Sequence, residues 1–390
     1  MQIINLGTYP PKQCGIATFS MDLRQSLKIN GNDIKIIAVS DDSFEYRYSK
    51  EVIYNLKQNH KQDYIKAAAF INSLPRIKLV IIQHEYGIYG GKDGEYILDL
   101  VRLLRKPYVL VTHTVLPQPS KQQKEILHQL CHRATGIICM TNHSKQILTD
   151  LYEAPAELIK VIAHGVPTFK KETADSLKKR FNYTGRQIIS TFGLIGPGKG
   201  LELGIRAIAS IARDYPSILY LILGQTHPML RKHEGEKYRQ MLEHLVKEQS
   251  LENNVQFINK FLSDKELGEY LYMTDIYLSP YPNKDQAVSG TMAFAIGCGR
   301  AIVSTSYAYA KEVLMNNRGL LAKEADPLEL ASLIKRILDD ESLKLELQKK
   351  SYQLGETWAW PNIGKEYTRA FSQLLNYHSI LEDSISYGRL

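Results

Sequence analysis

Short, continuous apolar runs recur along this chain with helix-like stretches between them. That alternation restricts the fold more than any other feature. In the first half the runs are IINL (3–6), IKIIAV (34–39), LVIIQ (79–83), YVLVT (108–112), IICMT (137–141) and IKVI (159–162). In the second half they are IISTF (188–192), ILYLIL (218–223), VQFI (255–258), IYLS (276–279) and AIVST (301–305). Most do not alternate apolar with polar, so each strand is expected to be covered by helices on both faces. At 390 residues the chain exceeds what one compact core usually holds. The reading is therefore an α/β chain of two doubly wound, Rossmann-like domains, with ligands bound at the strand ends and in a central cleft between them.

The boundary is expected where HGVPTFKKETADSLKKRF puts a glycine, a proline and a charge cluster between two sets of strands. Residues 1–170 then form the first domain and 171–360 the second. Residues 361–390 read as a helix entered at Pro361, with Ile363, Tyr367, Ala370 and Leu374 at helical spacing. It either crosses back onto the first domain, the arrangement preferred here, or closes the second, and periodicity alone does not choose.

A hydrophobic content of 44% without low-complexity segments is that of a globular protein. The net charge of +8 suits anionic partners, but no RNA- or DNA-binding motif accompanies it, so nucleic acid is not expected as a partner. The N-terminus MQIINLG reads as strand rather than signal peptide, and no apolar run approaches a membrane span. The expected location is cytoplasmic. Basic runs such as KKR (178–180) would also suit peripheral contact with the inner membrane face. The four cysteines show no disulfide spacing. His128, Cys131, His132, Cys139 and His143 have a spacing that zinc could use, but LHQLCHRATGIICMT reads better as an amphipathic helix feeding a buried strand. No metal site is expected, and no cofactor.

Two stretches carry the chemistry. TFGLIGPGKGLELGIRAIASIA (191–212) joins a strand to a glycine-rich turn and a helix, with Lys199 in the turn. Gly193, Gly196, Gly198 and Gly200 would let the backbone approach a ligand closely. The stretch is no Walker A motif, because no Ser or Thr follows the lysine. QAVSGTMAFAIGCGRAIVST (286–305) opens a helix with Ser289, Gly290 and Thr291. Ser289 is expected to cap that helix, and its free N–H groups would attract an anion. An ammonium beside a helix start is a site for a diphosphate. In the first half, Gly15 precedes a helix, QHEYGIYGG ends a strand with His84 and Glu85, and LVTHT ends another with His113. Polar groups ending parallel strands usually serve a ligand.

These motifs resemble those of the family 4 glycosyltransferases, retaining enzymes of the GT-B fold, and the resemblance covers nearly the whole chain. GIATFSMDL (15–23) is similar to the family's early glycine loop, VTHT (111–114) to its strand-end histidine, and AHGVP (163–167) to its Asn-Gly-Val segment with His164 for Asn. FGLIGPGKG (192–200) resembles the diphosphate loop, with Lys199 at the phosphate-binding lysine. CGRAIVST (298–305), KEVL (311–314), RGLLA (318–322) and the final WPNI follow in the family's order. The chain departs from the family in having Leu194 where the loop has an arginine, and Gln286 and Phe294 where it has two glutamates. Asp285 is only adjacent. An altered pattern of this kind resembles that of a bacterial subgroup.

The resemblance implies transfer of a hexose from a nucleotide diphosphate sugar to a saccharide or lipid-linked acceptor. Lys199 and His113 would be the catalytic residues. Gly15, His84, Glu85, Gly193, Gly198, Gln286, Ser289, Gly290, Thr291 and Glu312 would bind substrate, with His84 and Glu85 lining the acceptor side. The alternatives are a GT-B phosphorylase or epimerase, and a non-catalytic nucleotide-sugar-binding protein.

Overall fold

The computed structural model describes residues 1–42 and 44–387, with side chains through Tyr377. The chain divides into two units. One comprises Met1–Gly165 together with the segment from Trp360, and the other comprises Val166–Ala359. The first break falls five residues before the expected one, for a visible reason. Val166 pairs with Ala359 in a parallel bridge, its N–H donates to the Trp358 carbonyl at 2.9 Å, and Phe169 packs against Phe294. The linker residues are thereby held by the second unit.

The first unit holds a seven-stranded parallel sheet: β1 (Gln2–Gly7), β2 (Asp33–Ser40), β3 (Val52–Lys57), β4 (Leu79–His84), β5 (Tyr108–Thr112), β6 (Gly136–Cys139) and β7 (Ile159–Val161), in the order β3-β2-β1-β4-β5-β6-β7. The second holds six parallel strands: β8 (Gln187–Phe192), β9 (Ile218–Leu223), β10 (Val255–Ile258), β11 (Ile276–Ser279), β12 (Ala301–Thr305) and β13 (Leu320–Ala322), in the order β10-β9-β8-β11-β12-β13. Every apolar run read from the sequence is a strand. β4, β9 and β12 are buried along their whole length, as continuous apolar runs require. β3 and β13 are additional. Each sheet reverses its strand order once, between β1 and β4 in the first unit and between β8 and β11 in the second. Loops leaving those strands diverge and open a crevice at their carboxyl ends.

The helix Trp360–Tyr387 belongs to the first unit. Ile363, Tyr367, Ala370, Phe371 and Leu374 are buried, and Asn32 Nδ2 donates to the Thr368 hydroxyl at 3.0 Å. Its closest approach is to the helix Gly15–Ile29, where Gly364 lies directly over Ser26. Cys131 and Cys139 are fully buried, His128 Nδ1 meets the Tyr152 carbonyl at 3.0 Å, and among the described residues no group of side chains is placed to hold a metal ion. No helix among the described residues is long and apolar enough to cross a membrane.

Candidate functional site

In the second unit, the loop after β8 and the segment after β11 leave the sheet at its switch point. Gly196 leads into a single 3-10 turn, Pro197–Lys199, and Gly200 then adopts a left-handed conformation, φ +61°. A side chain there would place its Cβ 2.1 Å from the Pro280 carbonyl oxygen. Glycine thus lets the lysine loop lie directly on the backbone beside Tyr281. Lys199 Nζ donates to the Tyr281 hydroxyl at 2.7 Å and stands 4.6 Å from the centre of its ring.

The hydrogen-bond chain continues. The Tyr281 hydroxyl lies 2.8 Å from Thr291 Oγ1, which lies 3.2 Å from Ser289 Oγ. Ser289 caps the helix Gly290–Gly297, accepting from the Met292 N–H at 3.3 Å, as its sequence position predicts. Gly193, at φ +131°, faces the same group. A Cβ on it would lie 3.2 Å from Thr291 Cγ2 and 3.4 Å from Lys199 Nζ. Burial pushes the Tyr281 phenol up, but the Lys199 ammonium beside it, with hydroxyl hydrogen bonds, brings it below the usual tyrosine range. Its ring stacks on Tyr307 at 5.2 Å and 17°, and the Tyr307 hydroxyl is 2.8 Å from Ser279 Oγ. His227, burial and the nearby Lys199 charge acting together, titrates below the ordinary histidine value. An ammonium, three hydroxyls and a helix N-terminus converge here, a constellation that suits an anion with several oxygens.

The remaining candidates of this unit sit less centrally. Gly198 is exposed, and a Cβ on it would meet nothing within 4 Å. Gln286 donates to the Val288 carbonyl at 2.8 Å and so braces its own turn. Phe294 lies 6.2 Å from Phe169 and 6.0 Å from Phe192, ring centre to ring centre. The position that the family pattern gives to a carboxylate is therefore part of an aromatic cluster. Glu312 is half-buried in the helix Ala308–Val313, with its charge felt by Tyr309.

In the first unit, Gly15 opens the helix after β1, and the Cys14 sulfur accepts from the Ala17 N–H. Among the described residues, apart from its chain neighbours and its own helix backbone, nothing lies within 4 Å of where a Cβ on Gly15 would stand. His113 follows β5, and its N–H donates to the His84 carbonyl at 3.0 Å. Its Nε2 is 2.8 Å from Gln83 Oε1, while Gln83 Nε2 donates to Asn5 Oδ1 at 2.8 Å. Glu85 accepts a short hydrogen bond from the Thr114 hydroxyl, and burial raises its carboxyl pKa. The expectation that His84 lines an acceptor surface needs correction. The last residue of β4, it is 1% exposed, with its ring edge-on to Tyr86. The inward face of a sheet covered on both sides takes it out of the surface, and burial lowers its pKa to about 4.

Two participants escaped the sequence reading. Tyr281 sits in SPYPNK, which reads as an ordinary turn, and only its position after a strand adjoining the switch point marks it. Gln83 is the polar end of an apolar run, and that is the one signal it offers.

The fold defines the class: two doubly wound parallel sheets of the GT-B kind, the second with a cluster of one ammonium and three hydroxyls at its switch point. Comparison with known proteins agrees. Residues 14–169 match Glycosyltransferase Family 4 and residues 172–354 match Glycosyl transferases group 1. The chain belongs to the group 1 glycosyltransferases of the family 4 type. It is 26% identical over 225 residues to the uncharacterised glycosyltransferase MJ1069 of Methanocaldococcus jannaschii, a match that takes in 56% of this chain and spans about half, 53%, of that relative. Among solved structures, Anabaena HepE in complex with UDP superposes with a TM-score of 0.76 at 15% identity, covering 96% of this chain and 100% of that one. Sucrose-phosphate synthase from Thermosynechococcus elongatus gives 0.78 at 17%, covering 97% and 100%.

Proposed function

We propose that this protein transfers a hexose from a nucleotide diphosphate sugar to an acceptor hydroxyl, with retention of anomeric configuration. The observation that carries the reading is the continuous hydrogen-bonded chain Lys199–Tyr281–Thr291–Ser289 at the start of the helix Gly290–Gly297. The bond between the anomeric carbon and the diphosphate oxygen breaks, and negative charge grows on the leaving group. Lys199, the Thr291 hydroxyl and the helix N–H groups meet that charge already oriented. The acceptor oxygen bonds to the same face of the anomeric carbon, and its proton passes to the departing phosphate oxygen. No side-chain base is then needed. Lys199 and the helix start supply the positive charge that a divalent ion would otherwise bring.

His113 positions the transferred sugar, and Gly15 gives a phosphate room to approach. The acceptor is a saccharide or a lipid-linked saccharide. UDP in the HepE complex makes UDP-glucose a first donor to test, beside GDP-mannose. One observation favours a second reading. With Phe294 packed among aromatic rings, the ribose has no carboxylate at that position, as a nucleotide-sugar-binding protein without turnover could tolerate.

The deciding experiment is a thermal-shift screen with UDP, GDP and their sugars, followed by assay of released nucleoside diphosphate with and without EDTA. A selective shift and EDTA-insensitive release support the transferase. Binding without release from any donor, across a broad acceptor panel, selects the second reading. No shift with any nucleotide removes both.

A further inference from the structure

Gln83 is fully buried on β4, between Asn5 of β1 and His113 beyond β5. Its side chain and its backbone are both held. Its Nε2 donates to Asn5 Oδ1, and the Tyr89 hydroxyl donates to its main-chain carbonyl at 2.7 Å. A Cβ on Gly7 would stand 2.8 Å from its Cβ and 2.9 Å from its Cγ, so Gly7 clears the space that the side chain occupies. With Nε2 turned towards Asn5, it is Oε1 that lies 2.8 Å from His113 Nε2. An amide oxygen can only accept, so His113 Nε2 carries the proton. A neutral imidazole holds one such proton, which leaves Nδ1 with a bare lone pair. The His113 ring is also set edge-on to Phe19 at 4.8 Å and 89°. No hydrogen bond to Nδ1 is made among the described residues, and His113 is partly exposed.

We infer that Gln83 is a positioning residue that locks His113 as the Nε2–H tautomer, so that the ring offers Nδ1 as an acceptor to a hydroxyl of the transferred sugar. The inference rests on the reading that His113 faces that sugar. It adds a sign to the contact: the sugar donates and the protein accepts, so a deoxy, fluoro or O-methyl group at that position loses the bond. Burial, with His164 and His84 nearby, lowers the His113 pKa to about 3 and keeps the ring neutral at ordinary pH. One competing arrangement exists. Asn5 Nδ2 is buried without a partner among the described residues, and turning both amides over would let Asn5 donate to Gln83 and Gln83 donate to His113, moving the ring proton to Nδ1.

Long-range proton–nitrogen NMR of the full chain labelled with ¹⁵N-histidine decides between them, with His113 assigned from the His113→Asn spectrum. A pyridine-type shift at Nδ1 and a pyrrole-type shift at Nε2 are expected, and the reverse pattern overturns the inference while leaving the transferase reading intact. Gln83→Glu places a carboxylate of the same shape against Nε2–H. It should raise the His113 titration midpoint by a pH unit or more, and an unchanged midpoint would show that the Gln83 side chain does not face the ring. If that variant does not fold, the wild-type spectrum alone decides. Saturating UDP-glucose or GDP-mannose should then move the Nδ1 signal upfield. Binding of UDP or GDP with no response of Nδ1 to either sugar overturns the sugar contact. Binding of no nucleotide at all counts against the proposed function and, with it, against the sugar contact.

Discussion

Lys199 and Tyr281 are 82 residues apart and joined by a 2.7 Å hydrogen bond, one following β8 and the other β11, the two strands at which the second sheet reverses its order. The bond fixes the position of the ammonium, and the proposed function gives it a diphosphate to meet. Lys199→Ala should therefore keep the fold and lower turnover by about 10²-fold or more, the usual cost of removing an oriented charge from a leaving group. Tyr281→Phe, which keeps the ring and its stacking on Tyr307, should lose roughly 10-fold and about 1 kcal/mol of stability. Steady-state kinetics with a purified donor checks both. Turnover of Lys199→Ala within a few-fold of wild type would remove Lys199 from the mechanism.

Gly200 and Gly198 lie two residues apart and should answer differently to alanine. At Gly200 the left-handed backbone and the Pro280 carbonyl 2.1 Å away predict a loss of about 2 kcal/mol or more in urea unfolding. At Gly198 a methyl group meets nothing, so stability should change by less than about 0.5 kcal/mol. Equal effects at the two positions would contradict the loop geometry.

Gly15→Ala separates ligand from fold. Beyond its own helix and chain neighbours, no atom of the described residues lies within 4 Å of the added methyl, so the melting temperature should hold. Affinity for the nucleotide sugar, read by calorimetry, should fall about 10-fold if a phosphate occupies that space, a misfit of about 1.4 kcal/mol. Unchanged affinity would take Gly15 out of the binding site.

Buried histidines give the protein an acid sensitivity. Burial holds His84 and His164 at about 4 and His113 at about 3, below the ordinary 6.5. The unfolded chain takes up protons that the folded one refuses, so their stability contribution is complete above pH 6.5 and shrinks as pH falls towards the folded values. Each histidine adds at most about 1.4 kcal/mol per pH unit to the slope. Urea midpoints at pH 7.5, 6.5 and 5.5 should fall in that order, less steeply in His164→Asn. A flat wild-type profile would show that these rings are free to protonate in the folded state.

What the sequence made legible was whatever repeats or breaks a pattern. Continuous apolar runs marked the buried strands, and Gly200, Lys199 and Ser289 stood out because glycine, charge and a capping hydroxyl interrupt those runs. β3 escaped because it is an edge strand with one buried residue in six, and β13 because three residues carry no period. Tyr281 and Gln83 escaped for a different reason. Their roles come from partners distant in sequence: Lys199 for one, and Asn5 and His113 for the other. His84 misled because a polar residue at the end of a strand reads as open to a ligand, whereas this one is buried within a sheet covered on both faces.

The helix that begins at Trp360 completes a unit whose other residues end at Gly165. On the ribosome, then, the second unit is the first whose sequence is whole. Its 194 residues, Val166–Ala359, are uninterrupted, while the sheet translated before them waits for a helix still to be made. Until Tyr367, Phe371 and Leu374 emerge, the earlier sheet's helix Gly15–Ile29 and the groove over Gly136 lack their cover. The nascent chain thus carries an uncovered apolar surface through nearly 200 residues of synthesis, the length of the second unit.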